Sequence, residues 1–283
     1  MLVLQYSGNN AAKEEIDGAI ERMCAFLRER AGEGRMKMTS FFAQEHNTIS
    51  NKANDEAKMR HVWGDDFFYE SLLGNRFRIS PASFFQVNTT GAEVLNGMIR
   101  DWAAAGEDQV VLDVCCGTGT IGICTASRAK KVVGIEICVP AVVDAEANAA
   151  ANGVTNCEFL AGKAEDKIRE AISEHVPKGG SCVAVVDPPR EGLHKTVLKA
   201  LRKTPQIERI VYVACNHVNF VQQAVHLCSP NCDKYPGVPF EPVMARGVDL
   251  FPHTHHVELM TLLERGDTLA RRRAAEAPGA SGA

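Results

Sequence analysis

The chain has 283 residues, 31 Lys plus Arg against 35 Asp plus Glu, a net charge of -4 and 45% hydrophobic residues. That balance excludes a chain disordered throughout and one that grips nucleic acid by bulk charge, while leaving room for a local basic face. No run approaches the roughly 18 apolar residues of a membrane span, and Met1 to Tyr6 is too short for a signal-peptide core, so an intracellular protein is expected, with no membrane association.

Residues 1 to about 75 differ from the rest. Met1 to Tyr6 reads as a strand. Ala11 to Arg30 has a helical period, with Ile16, Ala19, Ile20, Met23, Phe26 and Leu27 on one face and Gly32 past its end. Met36 to Ala43 reads as a second strand and Gln44 to Arg60 as loop, together βαβ-type material without a complete core. Trp63 to Val87 carries turn signals (Gly64-Asp65-Asp66 and Leu73-Gly74-Asn75) that suggest a small antiparallel sheet. Thr90 with Glu93 resembles a capping box opening a helix to about Ala104.

A regular alternation follows. Strands are predicted at Val110 to Val114, Lys131 to Ile137, Cys157 to Leu160, Cys182 to Asp187 and Ile210 to Ala214. Helices are predicted between them, including Thr120 to Ala129 and Pro140 to Asn152, the latter with proline in its first turn and Gly153 beyond its end. The pattern means an α/β, doubly wound, mostly parallel Rossmann-like sheet. Val238 to Glu264 adds two strands as an antiparallel C-terminal edge. The tail from Thr268, with Arg271-Arg272-Arg273 before Ala, Pro, Gly and Ser, is expected to be disordered.

Three strand ends carry chemistry. The first runs Asp113-Val-Cys-Cys-Gly117-Thr-Gly119-Thr-Ile-Gly122, where the glycines permit a tight turn and close approach of a ligand at a helix N-terminus. The loop implies a nucleoside cofactor. Asp113, positioned for a methionine ammonium, favours S-adenosylmethionine, while Glu136 at the next strand end could accept ribose hydroxyls of that cofactor or of NAD. The second end is Asp187-Pro188-Pro189-Arg190, an extended turn that could face a planar group or serve structure alone. The third is Cys215-Asn216. In the usual methyltransferase strand order it lies beside the ends at Asp113 and Asp187, at the edge where open α/β sheets bind ligands.

The segment Phe251-Pro-His253-Thr-His255-His256-Val-Glu258 suggests metal first, but no second cluster stands at ligand spacing, and the ten cysteines contain no C-x-x-C, so no metal is expected. Glu258 opens an apolar run, where partial burial would raise its pKa toward general-base range.

Taken together, F-F-Q-V-N (84–88), D-V-C-C-G-T-G-T (113–120), G-I-E (134–136), G-K-A-E-D (162–166), D-P-P-R (187–190), Y-V-A-C-N (212–216) and F-P-H-T-x-H-x-E (251–258) resemble the RNA uracil-5-methyltransferases, most of all their eukaryotic tRNA branch. The likeness runs from about Leu72 to Arg265. It implies residues 1–71 as part of an upstream α+β domain, 72–265 as an S-adenosylmethionine-dependent catalytic domain and 266–283 as tail. The family's upstream RNA-binding portion has no counterpart here, which leaves open that the chain is part of a longer protein.

The resemblance implies tRNA as substrate, its T-loop uridine as target and a monomer. It places the protein in cytoplasm or nucleus rather than mitochondrion. It makes Gln86, Glu136 and Asp187 cofactor-contacting, Cys215 the nucleophile and Glu258 the proton acceptor. The sequence departs from the family at His217, commonly Pro, and at Ala214, commonly Ser. Two rivals remain: a cysteine-dependent cytosine-5 RNA methyltransferase, which would want a reader of the cytosine amino group, and a non-catalytic tRNA-binding or folding module, which would predict loss of Cys215 or Glu258.

Overall fold

A computed structural model of the chain describes residues 1–9, 11–34, 37–47, 59–81, 83–103 and 108–276, with side chains through residue 271. The chain divides into two compact units, Met1–Glu70 with Phe77–Phe85, and Ser71–Arg76 with Gln86–Ala283.

In the first unit, β1 (Leu2–Tyr6), α1 (Lys13–Gly32) and β2 (Ser40–Glu45) form a βαβ crossover with β1 parallel to β2, and β3 (Met59–Gly64) adds antiparallel on the other side of β2. Its core is Ile20 with Phe41 and Ala43, and Leu4, Tyr6, Ile16, Leu27 and Trp63 pack around them. Three residues assigned to the apolar face of α1 point outward instead: Ala19, Met23 and Phe26 are exposed, with Arg30 lying over the Phe26 ring. The predicted loop from Gln44 is strand through Glu45, and 48–58 lie outside the described residues.

Between Trp63 and Val87 the small antiparallel sheet is a hairpin of β4 (Phe68–Leu72) and β5 (Asn75–Ile79), while Trp63 belongs to β3. Its Leu73-Gly74 turn has φ of 49° and 78°, the left-handed pair that matches strand twist in a two-residue hairpin loop.

The second unit holds a seven-stranded sheet in the order β11-β12-β10-β9-β6-β7-β8. Its strands are β6 (Val110–Val114), β7 (Lys131–Glu136), β8 (Cys157–Ala161), β9 (Cys182–Val186), β10 (Ile207–Ala214), β11 (Phe240–Val248) and β12 (Glu258–Arg265). The five from β8 to β10 are parallel. β12 pairs antiparallel with β10 on one side and β11 on the other, so the last strand in sequence is inserted inside the sheet. Every residue of β6 and β9 is buried, as expected of central strands covered on both faces.

Helix α2 (Thr89–Ala103) lays Leu95, Ile99 and Ala103 on Val111, Val183, Val211, Met260 and Leu262 of one face. On the opposite face α5 (Ala164–His175), α6 (Lys195–Lys203) and α7 (His217–Cys228) bury Ile168, Leu198, Leu201, Phe220 and Leu227. Helix α3 (Thr120–Thr125), continued by a 3₁₀ turn to Arg128, and α4 (Val139–Ala151) complete the layers.

The predicted capping box is not the cap that forms. Asn88 Oδ1 accepts from Gly91 N–H at 3.0 Å, and Glu93 accepts instead from Leu73 N–H at 3.0 Å, because Asn88 stands one residue before the helix. The expected disorder of the tail is also corrected over 266–276, which form α8 (Gly266–Glu276). Leu269 is buried and Arg271 donates to Glu208 at 2.8 Å; 277–283 lie outside the described residues.

Below the sheet, two buried arginines serve backbone carbonyls. Arg265, at the end of β12, donates to the carbonyls of Ile207, Arg202, Val238, Leu201 and Thr204 over 2.8–3.2 Å. Arg202 likewise serves His226, Leu227, Ser229 and Gly237. Among the described residues, no helix is long and apolar enough to cross a membrane.

Candidate functional site

The strand register assembles the site. β6, β9 and β10 are adjacent and parallel, with Val114 beside Val186 and Val186 beside Tyr212, so the residues that follow all emerge at one carboxyl edge. Asp187 N–H donates to Val114 O at 3.3 Å, holding it at that edge. In the antiparallel pairing of β10 with β12, Ala214 opposes Leu259. The next position on each strand toward the edge is therefore Cys215 on one side and Glu258 on the other. Two residues far apart in sequence thus meet.

Their electrostatics agree. Glu258 is 4% exposed, and burial raises its pKa, an effect that the charge of Arg190 opposes. Burial also raises the Cys215 thiol, with Glu258 and Asp187 adding to the shift and Arg190 opposing it. Asp187 is pushed up to about 8, first by burial and then by the charges of Glu258 and Asp113. Three acidic groups within mutual influence cannot all ionise cheaply, and such a cluster at a strand edge marks a candidate functional site.

Beside it, the Asp113–Gly122 segment folds as a cradle. Cys115, Gly117 and Gly119 have φ of 67°, 53° and 79°, so left-handed residues recur at every second position, and backbone N–H groups of such a turn converge on anionic or polar ligands. Cys115 and Cys116 both donate to Ile135 O, at 2.9 and 3.1 Å, fixing the loop to the end of β7. Glu136 accepts from Gly117 N–H at 3.1 Å and from Cys138 N–H at 2.9 Å, which sets its carboxylate alongside the loop. A Cβ at Gly117 would find open space, whereas one at Gly119 would stand 2.9 Å from the Phe159 ring. Gly119 is thus required by packing and Gly117 leaves room above the loop.

Asp113 occupies a different place from the one expected for contact with a methionine ammonium. It is fully buried, its Oδ2 accepts from Gly122 N–H at 2.8 Å, and burial raises it to about 7. It braces the loop from beneath because its side chain points back under the first turn of α3.

Gln86 is half-buried in the irregular segment before α2. That segment is fastened toward the other motifs by Asn88 Nδ2, which donates to Leu250 O at 3.2 Å, just before the histidine-containing loop. The three histidines of that loop are exposed, and the His255 and His256 rings lie 4.2 Å apart.

Sequence reasoning missed the charge of Arg190 and the two α7 side chains that hold its loop. Asn219 Nδ2 donates to Arg190 O at 2.8 Å, and Gln223 Oε1 accepts from Leu193 N–H at 3.0 Å. No spacing rule connects these positions, although the D-P-P-R motif itself was a visible marker.

The family model for tRNA (uracil-5-)-methyltransferases matches residues 55–266. The chain is 41% identical to the mouse (Mus musculus) tRNA (uracil-5-)-methyltransferase homolog A over 94% of this chain and 43% of that protein. With the human (Homo sapiens) homolog A it shares 44% identity over 83% of this chain and 37% of that protein. It thus spans about two fifths of the length of these curated relatives. Among solved structures it resembles the tRNA (uracil-54, C5)-methyltransferase of Pyrococcus abyssi in complex with S-adenosyl-L-homocysteine. The TM-score is 0.61 and the identity 28%, over 81% of this chain and 51% of that one.

Proposed function

The chain belongs to the tRNA (uracil-5-)-methyltransferase family, and on that premise we propose that it methylates carbon 5 of the T-loop uridine of tRNA, using S-adenosylmethionine and a covalent cysteine intermediate. The observation that carries this reading is the β10–β12 register, which sets Cys215 across from Glu258 at the carboxyl edge.

The residues present fit the cofactor. The loop leaves open space at Gly117, and Glu136 holds a carboxylate beside it that can accept from vicinal hydroxyls. When bound, S-adenosylmethionine supplies a methyl group on a sulfonium, ready for displacement. Gln86 and Asp187 are the other residues assigned to holding it.

Carbon 5 of uracil is a poor nucleophile. Cys215, ionised to the thiolate, forms a bond to carbon 6 and drives the ring π-electrons into an enolate whose charge reaches carbon 5. Carbon 5 then takes the methyl group, and the electron pair of the broken bond stays on the departing sulfur. Glu258 removes the remaining carbon 5 proton, the carbon 5–carbon 6 double bond re-forms, and the thiolate leaves with its electron pair. The raised pKa of Glu258 suits a base that must both accept a proton and release it to solvent. The uridine must be unstacked to reach this edge. All ten cysteines are free thiols, which fits work in a reducing intracellular compartment.

Nucleoside analysis of tRNA incubated with the chain and methyl-labelled cofactor tests the proposal. Labelled 5-methyluridine mapping to the T-loop is expected. Labelled 5-methylcytidine, or no labelled nucleoside from a folded, cofactor-binding chain, would overturn it.

A further inference from the structure

The loop between β9 and α6 carries Asp187 and Arg190, and it is gripped from one side by the helix that starts just after the nucleophile. Asn216 Oδ1 caps α7 by accepting from Asn219 N–H at 3.2 Å, and the Asn219 amide then donates to Arg190 O at 2.8 Å. One helical turn later, Gln223 Oε1 accepts from Leu193 N–H at 3.0 Å and from the buried Tyr212 hydroxyl on β10. Between the two grips the loop closes on itself through Gly192 N–H to Pro189 O at 2.7 Å. Gly192 has φ of 78°, and a Cβ there would collide with the Gln223 amide. The side chains at 219 and 223 therefore fix one loop relative to Cys215, and only glycine at 192 lets Gln223 come this close.

The charges around Cys215 give this clamp a purpose. Glu258 on β12 and Asp187 at the end of β9 both oppose ionisation of the thiol. Among the described residues, Arg190 is the one cation acting on Cys215 and the one acting on Glu258. His217, at the start of α7, is exposed. With both acidic groups opposing it, a Cys215 thiolate needs a positive charge nearby, because addition to carbon 6 proceeds only from the ionised sulfur.

Resting on the cysteine-dependent reading above, we propose that Arg190 is the cation that makes the Cys215 thiolate available, and that Asn219 and Gln223 are positioning residues that deliver it by clamping the 187–194 loop to α7. The ionisation is simple: the thiol proton goes to solvent and the charge left on sulfur faces the guanidinium.

The test reads Cys215 directly, without RNA. Iodoacetamide alkylation of the Cys215 peptide is followed by mass spectrometry from pH 6 to 10 on the whole chain. In Arg190→Gln the midpoint should rise by about one pH unit, so the rate below the midpoint falls about tenfold. Arg190→Lys should restore most of that loss. Asn219→Ala, which keeps the guanidinium but releases its loop, should shift the midpoint partway in the same direction. An unchanged midpoint in an Arg190→Gln variant that still binds S-adenosylmethionine overturns the proposal, as does an Arg190→Lys profile identical to that of Arg190→Gln. If Arg190→Gln does not fold, Asn219→Ala decides, and an unchanged midpoint there is the overturning result. Alkylation requires no methyl transfer, so a chain that shifts as expected yet makes no 5-methyluridine counts against the proposed function and not against the clamp.

Discussion

The backbone N–H of Gly122 donates to Asp113 Oδ2 at 2.8 Å, tying the first turn of α3 to the end of β6 beneath the glycine loop. The other carboxyl oxygen, Oδ1, is buried and has no hydrogen-bond partner among the described residues. That one-sided satisfaction is why burial outweighs the single N–H bond and lifts Asp113 from 3.8 to about 7. The folded state therefore binds this proton more tightly than the unfolded chain. Its contribution to stability is complete below about pH 4 and is lost as the pH rises to about 7. Asp113→Asn retains an acceptor for Gly122 without the buried charge. It should add on the order of 2 kcal/mol at pH 8 and flatten the dependence between pH 4 and 7. Urea denaturation of both proteins at pH 5 and pH 8 checks this, and a wild-type slope in the variant would contradict it.

Cys215 and Glu258 should fail in different ways. Cys215→Ala is expected neither to methylate tRNA nor to form a covalent complex with it, since no addition occurs at carbon 6. Glu258→Gln should still add and transfer the methyl group, then stall with the carbon 5 proton in place. Denaturing electrophoresis should show a methylated protein–tRNA adduct that vanishes when Cys215 is also replaced. Wild-type turnover by Glu258→Gln would remove the assigned role.

Glu136 holds two backbone N–H groups beside the cradle. Glu136→Ala should weaken S-adenosylmethionine by about 10- to 100-fold, the range for loss of charge-assisted hydrogen bonds. Calorimetry on a variant with native circular dichroism gives the answer, and unchanged affinity would mean that the hydroxyls are held elsewhere.

Arg265 is 2% exposed and satisfies five carbonyls with a planar fork, a task that a lysine with three donors on one nitrogen cannot copy. Burial lowers its pKa to about 10, so it stays charged at neutral pH. Arg265→Lys should cost about 3 kcal/mol, because buried acceptors lose their partners. Thermal unfolding should show a clear drop in Tm, and a drop within measurement error would refute the clasp.

Much of the second unit was legible because its central strands are short apolar runs between turn signals, as at Val110–Val114 and Cys182–Val186, a pattern that burial on both faces produces directly. The edge position of Cys215 followed from strand order. Glu258 stood out as a carboxylate opening an apolar run. What escaped depended on partners distant in sequence. The capping role went to Asn88 because Leu73 N–H competes for Glu93, and α8 forms where the composition suggested disorder because Leu269 finds a core and Arg271 finds Glu208. Cys115 adopts a left-handed conformation that its residue type does not advertise. The grip of Asn219 on Arg190 joins a helix and a loop that only the folded sheet brings near each other.

The insertion of β12 between β11 and β10 has a consequence for the order in which this molecule can be made. During synthesis the parallel strands emerge first, and β10 waits with an open edge for a partner that comes later than β11. Pairing with β12 brings Glu258 across from Cys215 in the same event that covers that edge. A nascent or prematurely terminated chain that has β6 to β10 can thus possess the glycine loop and the thiol yet lack the residue assigned to release them from a substrate. The β10–β12 ladder is also the one that sets Glu258 across from Cys215, so the covering of that edge and the meeting of these two residues depend on the same strand.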